Sequence, residues 1–265
     1  MTLDIKNVSF SYEDKAVLKN VSFSAGGGEI ISILGPNGVG KSTLFKCILG
    51  FLKPQKGIVE IDGRDVLSLT DRERALSTAY IPQSFNPVFN HSVLETVMMG
   101  AASRLGLFET PGKEERRRAE ELIGAMGIAG ISSRGTRKIS GGEKQLMLLA
   151  RSLMQEAEIL IMDEPTSSLD FANSHRVMRK VKELSQRGYT IIFSTHSPSL
   201  AALYSSSIIA LKDGTVLRKG TVDEIMTGEM LSTLYSFPIM TASVKIGGEE
   251  HFVCVPQKEG CGGQM

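Results

Sequence analysis

Three short stretches of the chain, Glu29 to Leu34, Glu158 to Met162 and Tyr189 to Ser194, are predominantly apolar. Runs of that length without alternation are expected of strands covered on both faces, as in a parallel sheet between helical layers. Leu3 to Phe10 and Val17 to Phe23 alternate instead, broken by Glu13, Asp14 and Lys15, and predict a β-hairpin. Gly57 to Asp62 alternates into an Asp-Gly turn, and Ala79 to Ile81 is a brief strand stopped by Pro82. Ile208 to Lys212 and Thr215 to Lys219 flank Asp213-Gly214 and predict a second hairpin, with further strands over Val244 to Ile246 and His251 to Val255.

Helical signals fill the intervals. Lys41 to Leu49 is helix-forming and closed by Gly50, and Thr70 to Glu73 opens a short helix with the capping-box spacing. From Phe85 to Ile139 the character turns from strand to helix, which predicts an inserted helical subdomain. Within it, Ser92 to Gly100 is a Met-rich apolar helix, and Ala101 to Gly112 reads as a loop. Lys113 to Met126 sets Ala119, Leu122, Ile123 and Met126 on one face. The adjoining run Glu114-Glu115-Arg116-Arg117-Arg118 is expected to be a solvated face, with Glu114 paired to Arg118. Ser140 and Glu143 carry a second capping box, opening a long helix through Met154. Another helix runs from the Ser167-to-Asp170 turn through Gln186, and Ser197-Pro198 supplies N-cap and N1 of the next. Short helices follow over Asp223 to Met226 and Met230 to Tyr235.

The chain of 265 residues is long enough for one large α/β domain with an insertion, or for two domains. Thirty Lys and Arg nearly cancel 29 Asp and Glu, so charge points to neither nucleic acid nor an acidic membrane surface. Cys47, Cys254 and Cys261 are few and odd in number, and Met1 to Phe10 has no signal-peptide character, which fits a reduced cytosolic compartment. No apolar run approaches the length of a bilayer span.

Candidate chemistry begins at Gly35-Pro36-Asn37-Gly38-Val39-Gly40-Lys41-Ser42-Thr43, which fills every fixed position of the phosphate-loop pattern between a predicted strand and a predicted helix. Its glycines let successive N–H groups turn inward as an anion cradle, Lys41 adds charge for the β- and γ-phosphates, and Ser42 offers a hydroxyl to Mg²⁺. Tyr12, at the first hairpin corner, is either an edge plug or a ring for adenine to stack on. Gln83 is either a plain loop residue or a Mg²⁺ ligand that also orients water. Ser140-Gly141-Gly142-Glu143 either caps a helix or forms a second anion site, because two glycines leave its N–H groups uncovered. Asp163 and Glu164 end an apolar strand, where α/β sheets place ligands: Asp163 is the candidate for Mg²⁺ and Glu164 the candidate to polarise an attacking water. His196 also ends a strand and is either structural or a γ-phosphate contact. His91 and His175 are read as structural or surface residues, and His251, Cys254 and Cys261 lack a recognised metal-ligand spacing. Gly260 to Gly263 is expected to be flexible.

The phosphate loop, Gln83, Ser140 to Glu143, Asp163-Glu164, Ser168-Leu169-Asp170 and His196 occur in the order found in ATP-binding cassette (ABC) ATPases, and the resemblance covers residues 2 to 237. It implies an α/β phosphate-loop NTPase core of RecA-like type, with an N-terminal antiparallel β subdomain and an inserted α-helical subdomain. The boundaries it suggests are 1–85 and 140–237 for the core, 86–139 for the insert and 238–265 for a C-terminal tail. It further implies that Tyr12 stacks on adenine, Gln83 is the Q-loop, Ser140 to Glu143 the signature, Glu164 the catalytic base and His196 the switch histidine. Mg²⁺ and ATP are the implied ligands. The implied partners are a second cassette packed head to tail, polytopic permease subunits at the cytoplasmic face of a membrane and, indirectly, a substrate-binding protein. No nucleic-acid partner is implied. Ile139 stands where leucine usually opens the signature.

A finer resemblance is to importers of iron-siderophore, haem and vitamin B12 type, through Ser92 to Glu95, Met98-Met99-Gly100, Leu169 to Asn173 and Leu234-Tyr235. Molybdate and tungstate cassettes share these features and a loop like Leu105 to Pro111, and Ala101 replaces an arginine frequent in the group, so the substrate stays open. A soluble assembly ATPase of iron-sulfur type and an exporter cassette are the alternatives, whereas a GTPase lacks its Asn-Lys-x-Asp motif here.

Overall fold

A computed structural model describes residues 1–106 and 108–257. Leu107 and the Gly260 to Gly263 segment with Cys261 lie outside the described residues. The first elements are β1 (Leu3–Tyr12), β2 (Lys15–Ala25), β3 (Ile30–Leu34), α1 (Lys41–Ile48), β4 (Lys56–Ile61) and β5 (Arg64–Asp65). They are followed by α2 (Asp71–Ser77), β6 (Thr78–Ile81), α3 (Val93–Met98), α4 (Lys113–Ala125), α5 (Gly141–Met154) and β7 (Ile159–Met162). Next come α6 (Phe171–Ser185), β8 (Thr190–Thr195), α7 (Pro198–Tyr204), β9 (Ser207–Lys212) and β10 (Thr215–Gly220). The last are α8 (Val222–Ile225), α9 (Gly228–Tyr235), β11 (Ile239–Ile246) and β12 (Glu249–Pro256).

Six strands form the central sheet in the order β10-β9-β3-β8-β7-β6, parallel except for β10. Every residue of β3, β7 and β8 is buried, because both faces are covered. Alternation then decides which layer each side chain enters. Ile31, Ile33, Ile159, Ile161 and Ile192 pack towards α1 and the antiparallel sheet β2-β1-β4-β5. Leu160, Met162, Ile191 and Phe193 point to the other layer, with α3, α4, α5 and α6. The register pairs Leu34 with Thr195, Met162 with Phe193 and Ile81 with Met162, so the C-terminal ends of β3, β8, β7 and β6 stand in one row. The loops that follow those ends therefore share one edge of the sheet, the usual ligand edge of such folds.

Several local expectations are corrected. Glu114 does not pair with Arg118: Arg117 takes Glu114 at 2.6 Å and also Glu121, and Arg118 lies 3.7 Å from Glu121. The stretch read as a loop from Ala101 opens with a 3₁₀ turn over Met99–Ser103. The strand expected at Val244 begins at Ile239, and β11 and β12 form a two-stranded hairpin whose Ile239, Phe252 and Cys254 pack against a small core from α7 and α9.

Gly100 lies hard against α5, since a Cβ there would sit 2.2 Å from the Arg151 carbonyl oxygen and 2.9 Å from the Met154 Cβ. Neither neighbour is a mobile side-chain end. Gly100→Ala is expected to destabilise the chain by about 1–3 kcal/mol through overpacking, read as a lower urea midpoint. An unchanged midpoint would contradict this packing.

Candidate functional site

The segment Gly35 to Gly40 leaves β3 and enters α1, and its path depends on glycine at defined places. Gly38 and Gly40 have φ of 80° and 108°, and a Cβ on Gly35 would lie 2.3 Å from the Leu211 carbonyl oxygen. Lys41, the first residue of α1, is 5% exposed, and its Nζ donates to the carbonyls of Gly35 (2.8 Å) and Pro36 (3.0 Å). Glu164 Oε1 is its third neighbour, at 3.2 Å. The ammonium is thus surrounded by acceptors, and Lys41 lines a cavity of about 470 Å³. Tyr12, Lys15, Val17, Asn37, Gly38 and Gly40 to Thr43 line that cavity together with Gln83 and Glu164. Tyr12 is 43% exposed, and its ring makes a T-shaped contact with that of Phe10, centroids 4.9 Å apart.

Glu164 is the convergence point. Its Oε2 accepts from Gln83 Nε2 at 3.2 Å and lies 3.5 Å from His196 Nδ1. Its backbone is left-handed, with φ of 43°, a conformation a non-glycine residue adopts at a cost. Asp163, which precedes it just past the end of β7, meets other partners. It is buried, and its carboxylate accepts from Ser194 Oγ at 2.6 Å. Burial, then the adjacent Asp163 carboxylate, push the Tyr80 phenol up to about 12. Ser194 Oγ also accepts from the Glu164 amide at 2.8 Å. One serine therefore braces both acids. Its signal in the sequence is a hydroxyl at the end of the Tyr189 to Ser194 run.

Ser140 to Glu143 stands apart from this cavity and contributes nothing to its lining. Ser140 Oγ accepts from the Glu143 amide (3.3 Å) while the Glu143 carboxylate accepts from the Ser140 amide (2.7 Å). That backbone hydrogen bond, with the serine hydroxyl, holds the Glu143 carboxyl below the usual carboxylate range. Gly141 and Gly142 lie against Leu169 and Asn173, where a Cβ would come within 3.0 and 2.9 Å of their side chains. The start of α5 thus rests on the turn that follows Glu164, with Ser140 itself exposed. Of the sequence candidates, Tyr12, the loop, Gln83 and Glu164 share one cavity, His196 approaches it through Glu164, and Ser140 to Glu143 does not join it. Among the described residues no three His, Cys, Asp or Glu side chains come together as a metal cage.

A family model described as ABC transporter matches residues 18–167. The chain belongs to this family. A Helicobacter pylori protein described as an iron chelatin transport ATP-binding protein is 39% identical over 241 residues, 90% of this chain and 94% of that protein. Among solved structures, an inward-facing ABC transporter described as of metal-chelate type has a chain that superposes with a TM-score of 0.87 at 28% identity, covering 97% of both chains. A dimeric ATP-binding cassette in a post-hydrolysis state with ADP and Pi superposes with a TM-score of 0.74 at 30% identity, covering 83% of this chain and 98% of that one. The cassette therefore has the α/β phosphate-loop NTPase fold, binds nucleotide and is an ATPase. No helix among its described residues is long and apolar enough to cross a membrane.

Proposed function

We propose that this cassette is the ATP-hydrolysing subunit of a membrane importer for a metal chelate, working as a head-to-tail pair of copies. The observation that carries the catalytic part is the convergence of Lys41, Gln83 and His196 on Glu164. In this reading Tyr12 stacks on adenine, and the loop N–H groups and Lys41 hold the phosphates. Phosphate oxygens compete with Glu164 for the Lys41 ammonium. Once they take it, the Glu164 carboxylate is released to accept a proton from the attacking water, and His196 meets the γ-phosphate. Ser42, Gln83 and Asp163 offer the hydroxyl, amide and carboxylate oxygens suited to Mg²⁺, whose charge would neutralise that building on the phosphates.

The pairing is supported by what the cavity lacks. Ser140 and Gly141 are exposed at the start of α5, a helix N-terminus suited to phosphate, with Gly142 buried behind them, yet they do not line their own chain's cavity. In a head-to-tail pair, each start completes the other copy's site. Residues 1–85 and 140–237 then act as the nucleotide core, 86–139 as the insert that meets the permease, and 238–265 as a tail. A groove of about 850 Å³ between α2, the Met99–Ser103 turn and α5, lined by Arg72, Met99, Leu105 and Arg151, suits a permease helix. The cassette would sit at the cytoplasmic face through that contact, with a substrate-binding protein supplying cargo from the other side.

The importer reading is supported by the extent of likeness: 97% of this chain superposes on the transporter described as metal-chelate type, against 83% on the cassette with ADP and Pi. Its test is uptake. Cells lacking the gene are expected to lose accumulation of radiolabelled ferric chelate and to regain it with the parent chain but not with Glu164→Gln. Unchanged ferric uptake, with loss of labelled molybdate uptake instead, would overturn the cargo assignment.

A further inference from the structure

The imidazole of His196 is half exposed, and its closest carboxylate oxygen is 3.5 Å away. The ring does not hold itself in place, so its aim depends on the peptide that carries it. That peptide sits between β8 and α7, and its carbonyl oxygen accepts from the Tyr235 hydroxyl at 2.8 Å. Tyr235 is the last residue of α9, and α9 is anchored firmly. Leu231 and Leu234 are fully buried. Lys212 of the central sheet donates to the Thr233 carbonyl and, at 2.8 Å, to Ser236 Oγ, where the backbone turns left-handed with φ of 53° and ends the helix.

The C-terminal hairpin backs the same tyrosine. Ser232 Oγ accepts from the Ile239 amide at 2.8 Å and donates to its carbonyl at 3.2 Å, which ties the start of β11 to α9. Tyr235, His196, Pro198, Phe237, Cys254 and Pro256 line one apolar hollow of about 240 Å³. Burial, then the Cys254 thiol, push the Tyr235 phenol up, so it is a permanent donor at physiological pH.

We propose that Tyr235 is a positioning residue for His196, with α9 and the C-terminal hairpin as its mount. The hydroxyl fixes the height of the His196 peptide above the sheet edge, and with it the reach of the imidazole towards the γ-phosphate. This rests on the reading of His196 as a γ-phosphate contact. It gives the segment after the nucleotide core a task in turnover: it supports the histidine from behind while touching no nucleotide.

Tyr235→Phe tests it, because the ring and its packing stay while the donor goes. The expected result is a kcat lower by about five- to tenfold, the size of one lost hydrogen bond acting through geometry, with KM for ATP within about twofold of the parent. In chain labelled at histidine, the ring resonances of His196 shift while those of His91 and His175 stay. A merely structural role would not single out one of the four histidines. A kcat within about twofold of the parent, or an unmoved His196 resonance, would overturn the proposal. His196→Ala in the same assay keeps the two readings apart. Parental turnover by His196→Ala would refute the γ-phosphate contact itself, whereas slow His196→Ala beside parental Tyr235→Phe would refute the positioning role alone.

Discussion

Glu164→Gln is expected to bind ATP as the parent does and to hydrolyse it roughly 10²–10³-fold more slowly, the range for removing a positioned general base. The amide matches the carboxylate in size and can still accept from Lys41, which lies 3.2 Å from Glu164 Oε1. It cannot take a proton from water. The Ser194 hydroxyl that braces the Glu164 backbone amide is unaffected, so the backbone at φ 43° keeps its support, and the side chain gives up only its second acceptor, the one towards Gln83 Nε2. The checks are steady-state phosphate release and equilibrium binding of a fluorescent ATP analogue. Parental turnover would remove Glu164 from the role of base.

Ser140→Arg carries the second large effect. Nucleotide affinity of the single chain is expected to stay within about twofold of the parent, because Ser140 to Glu143 lines no part of the cavity around Lys41. Turnover is expected to fall by roughly 10²-fold or more, since a bulky cation then occupies the volume where the other copy's γ-phosphate should sit. Losing the serine cap costs about 1 kcal/mol of helix stability, far less than would unfold a domain of this size. Retained ATP-driven pairing by this variant would show that the start of α5 is not part of a shared site.

The parts of the cassette legible in its sequence were those that physical necessity writes into residue type. The loop needs glycine at Gly35, where a Cβ would clash with the Leu211 carbonyl, and at Gly38 and Gly40, whose positive φ strains any other residue. Strands buried on both faces need mostly apolar side chains, with small hydroxyls such as Ser32, Thr190, Ser194 and Thr195 as the polar groups they hold, so β3, β7 and β8 could be read with the loops that follow them. The acids at the end of β7 were legible for the same reason. Arg117 was missed because a guanidinium between Glu114 and Glu121 can serve both, and the spacing rule does not rank three adjacent arginines. Strand β11 was read short because its apolar phase points outward. Met240, Val244 and Ile246 are 48%, 41% and 60% exposed, while the inward phase begins with Ile239 and continues through Thr241. The Tyr235 contact left no trace in sequence, since its acceptor is a backbone carbonyl that any residue would supply.

The central claim is that the ATP site is completed by a second copy. Native mass measurement of Glu164→Gln in the presence of ATP and Mg²⁺ tests it most directly. The account predicts a species of two chains holding two ATP molecules, which dissolves when nucleotide is removed. A species of one chain holding one ATP, at protein concentrations well above the nucleotide Kd, would contradict it.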